Sequence, residues 1–300
     1  MNNKNVIVII GPTASGKSDL SIQVAKKLDG EVISADSSQV YVGLDIGSAK
    51  IKKEEMQSIN HYMIDIKQAT EDFCVAEFKE LALKNIQDIL NKNKTPIICG
   101  GTGLYVRALI DDYDFDFTPK SEELRAKIEK QIEENGIDFA YQMLKSLSMS
   151  KASKINPNDK VRIVRALEKE LCEKQTSKQL ENDFNYFVYV IDMDRTLLYQ
   201  RINDRVDKMV EMGLFDEVKN LMEKGITTKN SCFKSIGYKE VYDYYANGTL
   251  DKQQTIELIK KKTRNYAKRQ LTFFRGIKQA VWLRSDDKLS ELLQDYNKKA

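Results

Sequence analysis

Residues 11 to 18 read GPTASGKS: a glycine, four variable residues, then Gly-Lys-Ser. The stretch sits between an apolar run, VIVII (6–10), and a helical pattern from Lys17 to Leu28. A loop in that setting aims backbone N–H groups and the positive end of a helix at an anion. Lys17 adds a full charge, and the Ser18 hydroxyl can ligate Mg²⁺. Gly11, Thr13, Ala14, Ser15 and Gly16 complete the cradle. The chemistry is oligophosphate binding, and the loop does not specify what the phosphates carry.

A kinase or ATPase also needs a second acid at a strand end to hold the metal. Three expected strands end in Asp, at Asp36, Asp65 and Asp192. Each equally suits a turn cap, and periodicity does not choose among them. The cysteines, at 74, 99, 172 and 232, form no CxxC pair, and His61 is the single histidine. That spacing argues against a Cys/His zinc site and a His-based triad. The cysteines read as buried structural thiols, and any metal as a hard ion held by oxygens.

The elements that must position these groups alternate. EVISAD (31–36), HYMIDI (61–66) and TPIICGGTG (95–103) read as strands or strand-to-turn segments, and Phe78 to Leu90 has helical spacing. This alternation predicts a P-loop-like α/β fold, a parallel sheet flanked by helices. After Pro119 the pattern turns all-helical. Leu124, Ile128 and Ile132 make one face, and Ala140, Met143, Leu144 and Leu147 another. A further helix is expected after NPND (156–159). FVYVIDM (187–193) then reads as a returning core strand. The expected organisation is a core of 1–118 and 184–300 with a helical insert over 119–183.

Three hundred residues, 41% hydrophobic and 31% charged, describe a globular protein larger than one usual core. The apolar run near the start is too short for a signal peptide or a membrane span, so a cytosolic protein without a membrane partner is expected. The net charge of +3 is unevenly spread. Between Lys260 and Arg284 there are nine Lys/Arg and no Asp or Glu, whereas DDYDFD (111–116) is acidic. Thr255 to Arg275 is expected to be a helix with Ile256, Ile259, Tyr266 and Phe274 toward the core. Lys261, Arg264, Lys268 and Arg275 group on one side of it, as a polyanion surface or as ordinary solvated cover.

SADSSQVY (34–41), taken with the glycine loop, closely resembles the opening of the tRNA dimethylallyltransferases, also called tRNA isopentenyltransferases. The resemblance continues through DIGSAK (45–50), IDI (64–66), GGTGLY (100–105) and INPNDKVRIVRALE (155–168). It extends through DRTLLYQRINDRVDKM (194–209), IGYKEV (236–241) and TRNYAKRQLTFFR (263–275). Departures are few. Ser18 stands where Thr is usual, His61-Tyr62 where two histidines are common, and Phe273 where a Trp is usual. The glycine that often follows the RALE helix is missing.

The resemblance implies transfer of a dimethylallyl group from dimethylallyl diphosphate to the exocyclic amine of the adenosine 3′ of the anticodon. The tRNAs concerned read codons beginning with U. The loop then holds the prenyl diphosphate with Mg²⁺, and Asp36 matches the carboxylate that accepts the amine proton. Arg201 and Arg205 match family arginines, with Arg205 favoured as a diphosphate clamp; a structural ion pair with Asp207 or a neighbouring acid is its alternative role. Ser37, Ser38 and Gln39 match residues that contact the displaced base, and Thr102 and Arg125 match further tRNA contacts. Arg162 and Arg165 fit a basic stripe along the RNA backbone. An enzyme of this kind is expected to work as a monomer. Two rivals share the loop: an isopentenyltransferase acting on free AMP, ADP or ATP, and a P-loop kinase or ATPase.

Overall fold

The structure, a computed structural model, describes residues 4–111, 121–172 and 182–300. The chain divides into two compact units, Met1–Tyr113 with Glu181–Ala300, and Asp114–Leu180. The expected boundary between 118 and 119, and the acidic residues 112–116, lie outside the described residues.

The first unit is built on six strands: β1 (Asn5–Ile10), β2 (Gly30–Ser34), β3 (His61–Tyr62), β4 (Thr95–Gly100), β5 (Asn185–Ile191) and β6 (Val281–Leu283). They form one parallel sheet in the order β3-β2-β4-β1-β5-β6. Central β1 is buried along its whole length, as its unbroken apolar run requires. Alternation sends Val6, Val8 and Ile10 to one face with Phe78 and Phe274, and Ile7 and Ile9 to the other with Leu20 and Leu292. In such sheets ligands bind beyond the carboxyl ends of the strands, where β1 runs into the glycine loop.

Helix α1 (Lys17–Lys27) follows that loop, α2 (Val75–Asn91) precedes β4, and α3 (Gly103–Ile110) follows it. The strand expected over 61–66 stops at Tyr62. Met63 and Asp65 have φ of 65° and 53°, left-handed values that break an extended chain. Asp65 therefore lies in a turn, where it pairs with Lys50. β2 likewise ends at Ser34, leaving Asp36 in the turn beyond it.

The second unit is all-helical in its described part: α4 (Glu122–Asn135), α5 (Ile137–Leu147), α6 (Met149–Ala152) and α7 (Lys160–Leu171). Side chains start two of these helices, Ser121 accepting from Leu124 N and Asp159 from Arg162 N. Ile128, Ile132, Ala140, Leu144, Ile163 and Leu167 make its core. Leu147, expected in that core, is exposed as the last residue of α5, beyond the packed stripe.

Back in the first unit come α8 (Arg195–Glu211), α9 (Leu214–Glu223), α10 (Tyr238–Asn247), α11 (Lys252–Phe274) and α12 (Lys288–Lys299). α11 begins at a capping box of Asp251 and Gln254 and buries Ile256, Ile259, Ala267, Gln270 and Phe274. Tyr266, expected toward the core, is only half-buried and faces a cleft instead. All four cysteines are free. Cys99 and Cys232 are buried as expected, but Cys74 is exposed at the start of α2 and Cys172 is half-buried. No helix among the described residues is long and apolar enough to cross a membrane.

Candidate active site

A cleft of about 720 Å³ opens beyond the carboxyl ends of the strands, lined entirely by residues of the first unit. The glycine loop forms one wall. Gly16 carries φ of +86° with open space around it, so backbone conformation and not room requires glycine there. Gly11 is required by room: a Cβ would meet Ser15 Oγ at 2.7 Å. Ala14 is also left-handed, at φ 64°. The first turn of α1 leaves its leading amides without helical partners, which makes the anion cradle. Ser15 Oγ is buried there without a hydrogen-bond partner. Thr13 contributes differently than expected, because its amide already donates to Gln270 Oε1 at 3.0 Å.

Among the charged groups that line the cleft, Lys17, Asp36 and Arg205 act on one another electrostatically. Burial, and then the Arg205 guanidinium, hold the Lys17 ammonium below its ordinary range, while Cys99 and Asp36 pull the other way. Burial also lowers Arg205, against the opposing pull of Asp36. Arg205 Nε is buried without a partner. The alternative pairing of Arg205 with Asp207 does not form, since Asp207 takes Lys260 at 2.8 Å. Arg201, one turn earlier, is exposed and does not line the cleft. A pair of cations kept short of neutralisation is a site that gains by receiving an anion.

The three strand-associated aspartates separate clearly. Asp192 pairs with Arg284 and accepts from Met193 N, and Asp65 is held by Lys50. Asp36 alone of the three lines the cleft. Its Oδ1 accepts from Ser38 N at 2.9 Å and Gln39 N at 3.4 Å, so it does cap a turn. Its Oδ2 makes no hydrogen bond among the described residues, which leaves it available to a substrate donor.

The expected base-contacting residues come together around Asp36. Ser37 N donates to Thr102 Oγ1 at 3.1 Å, and Ser38 Oγ lies 2.7 Å from Ser235 Oγ. The Gln39 amide spans Ser34 Oγ at 3.3 Å and the carbonyls of Ala49 at 3.3 Å and Ser48 at 3.5 Å. These bonds are long, and so exchangeable. The opposite rim, residues 45–47, is fastened by Glu217, whose carboxylate accepts from Asp45 N, Ile46 N and Gly47 N at 2.7–3.1 Å.

Arg125, Arg162 and Arg165 belong to the second unit. Two of them converge on a fully buried carboxylate: Glu168 Oε2 accepts from Arg125 at 3.0 Å and Arg165 at 3.3 Å. Arg162 reaches only Asp159, and its side chain is 71% exposed.

Sequence reasoning missed several cleft residues. Tyr105 stacks on Phe78 with ring centroids 4.3 Å apart, and Tyr266 lies under Arg269. Ile202, Val206, Met209 and Ile259 make an apolar wall next to the cations. Gln270 was legible as a polar residue among buried positions of α11, in step with Ala267 and Phe274.

No group of three or more His, Cys, Asp or Glu among the described residues could cage a metal. Mg²⁺ does not need such a cage. It keeps several waters and takes one or two protein oxygens beside substrate phosphates. The exposed Ser18 hydroxyl and the Asp36 carboxylate in the same cleft fit that donor chemistry.

A family model described as IPP transferase matches residues 39–277. A tRNA dimethylallyltransferase from Acetivibrio thermocellus is 44% identical over 290 residues, covering 94% of this chain and 92% of that one. Among solved structures, the full-length tRNA isopentenylpyrophosphate transferase of Bacillus halodurans matches with a TM-score of 0.73 and 39% identity. That match covers 98% of this chain and 95% of the other. A eukaryotic dimethylallyltransferase acting on tRNA matches with a TM-score of 0.81 at 29% identity, over 99% of this chain and 80% of that one.

Proposed function

The chain belongs to the IPP transferase family, and we infer that it transfers a dimethylallyl group from dimethylallyl diphosphate to the N(6) amine of an adenosine in tRNA. The acceptor is the adenosine 3′ of the anticodon in tRNAs reading codons that begin with U. The observation that carries the reading is one cleft that holds Lys17 and Arg205 beside the phosphate loop, an apolar wall, and the free oxygen of Asp36.

The diphosphate sits on the amides at the start of α1, with Lys17 and Arg205 beside it. Ile202, Val206, Met209 and Ile259 give the five-carbon tail an apolar surface. As the allylic C–O bond breaks, negative charge collects on the departing diphosphate, where the two cations and the amides already point. The adenine amine is a weak nucleophile. Asp36 orients its N–H and takes the proton as the C–N bond forms. Diphosphate leaves carrying the bonding pair of the broken C–O bond. Ser18 would hold Mg²⁺, which would supply further charge neutralisation when bound.

The base must leave the stacked anticodon loop to reach this cleft. Ser37, Ser38, Gln39 and Thr102 line its route to Asp36, and the weakly held Gln39 amide can exchange its partners for an adenine edge. Arg125, Arg162 and Arg165 serve the RNA backbone, and Arg162 is the most exposed of them. A monomer is the proposed working form. A cytoplasmic site of action accords with tRNA as acceptor.

The phosphate loop and Asp36 would serve equally a transferase acting on AMP. The helical unit and the basic run of α11 favour RNA. The test is to supply labelled dimethylallyl diphosphate and Mg²⁺ with equimolar tRNA and AMP. Label is expected in tRNA; label in AMP alone would overturn the assignment.

A further inference from the structure

We propose that Gln270 is a positioning residue that sets the distance between the phosphate loop and the Asp36 turn, through one buried amide bonded to both sides of the cleft. The proposal rests on the transfer reaction inferred above.

Gln270 is 5% exposed, in the last turns of α11. Its Oε1 accepts from Thr13 N of the phosphate loop at 3.0 Å. Its Nε2 donates to Gly101 O at 2.8 Å. Gly101 precedes Thr102, whose Oγ1 accepts from Ser37 N at 3.1 Å, and Ser37 directly follows Asp36. A second link joins the same elements, because Thr102 N donates to Ala35 O at 3.2 Å. A continuous path of hydrogen bonds thus runs from the diphosphate cradle to the proton acceptor, and the Gln270 amide is the side chain that joins it to the phosphate loop.

The close approach is written into both partners. A Cβ on Gly101 would lie 2.4 Å from Gln270 Nε2, so only glycine admits the amide there. The bridge also needs a side chain that donates at one end and accepts at the other, which an amide does and a carboxylate does not. The Tyr266 hydroxyl, pushed up to about 12 by burial and then the Asp36 charge, lines the same cleft one turn before Gln270. Reaction rates are sensitive to such spacing: a displacement of ~1 Å between reacting groups costs about 10²-fold.

The amide logic gives the test. In Gln270→Glu, the ionised carboxylate meets the Gly101 carbonyl with an acceptor in place of a donor. Once protonated, it regains one donor and one acceptor. Lys17, Asp36 and Arg205 from the facing elements, with Tyr266 and Arg269 of α11, line the same cleft. The cations lower the new carboxyl's titration, while burial and Asp36 raise it. Steady-state transfer from dimethylallyl diphosphate to an anticodon stem-loop is to be measured from about pH 8 down to about pH 5.

At the alkaline end kcat is expected to fall about 10²-fold, with KM for the stem-loop little changed. The ratio of variant to wild-type kcat should then climb as the pH drops. An apolar Gln270→Met of similar volume should show the same loss with no pH recovery, and it carries the test if the Glu variant does not fold. Wild-type kcat in both variants, or a pH-independent ratio in Gln270→Glu, would overturn the bridge while wild-type transfer stands. Absence of transfer by the wild-type protein would instead overturn the inferred reaction.

Discussion

Gly100→Ala would perturb the site without touching a catalytic group. A Cβ on Gly100 would lie 2.2 Å from Ala35 O, 2.5 Å from Ala35 C and 2.7 Å from Ala35 Cβ. Ordinary contact begins at 3.4 Å, so the two chains must part by about 1 Å at this point. Backbone faces backbone here, and no side chain can swing aside. The residue pushed is the immediate neighbour of Asp36, and the same carbonyl receives Thr102 N. Overpacking of this kind costs about 1–3 kcal/mol of stability, or ~2–4 °C in Tm for each kcal/mol. A carboxylate displaced by ~1 Å from its proton donor loses about 10²-fold in kcat. The assay is single-turnover prenyl transfer on protein shown by melting to be folded. Gly276→Ala is the control, since its Cβ would come no closer than 3.2 Å to Phe273 O. A folded Gly100→Ala protein with wild-type kcat would refute the claim that this spacing governs the reaction.

Arg205→Ala is expected to lower kcat/KM for dimethylallyl diphosphate by about 10²–10³-fold with Tm unchanged, because the half-buried side chain makes no ion pair among the described residues and its buried Nε has no partner. Loss of stability with normal turnover would make it structural. Arg162→Ala should weaken tRNA binding and flatten its salt dependence, measured by titration at several salt concentrations, while leaving the melt alone. Arg165→Ala should in addition lower Tm, since buried Glu168 then keeps only Arg125. Burial raises the Glu31 carboxyl, but bonds from Tyr62, Asn60, Lys92 and Lys94 outweigh it and bring it down to about 2. A depressed carboxyl stabilises above its unfolded value of ~4.3 and loses that contribution as the pH falls toward 2. Acid unfolding of Glu31→Gln should accordingly show a flatter slope across that window than the wild type.

Much of this arrangement was legible in the residues. GPTASGKS between an apolar run and a helix announces the cradle, and the alternation of 6–103 announces the parallel sheet. What escaped was what the tertiary structure decides. The apolar spacing of HYMIDI promised a longer strand, but left-handed backbone at Met63 and Asp65 cut it to two residues. Local pattern left Asp36, Asp65 and Asp192 equal. Only the folded chain brings Lys50 to one, Arg284 to another and the cations of the cleft to the third. Tyr266 has core spacing on α11, yet its side chain lines the cleft. β6 and α12 gave too short a periodic signal to read, although α12 covers the Ile7 and Ile9 face of the sheet.

The most direct test of the account is prenyl transfer by Asp36→Ala. A general base that also orients its substrate contributes about 10²–10⁴-fold, so turnover should fall by that much while dimethylallyl diphosphate still binds. Transfer at the wild-type rate would show that some other group receives the amine proton.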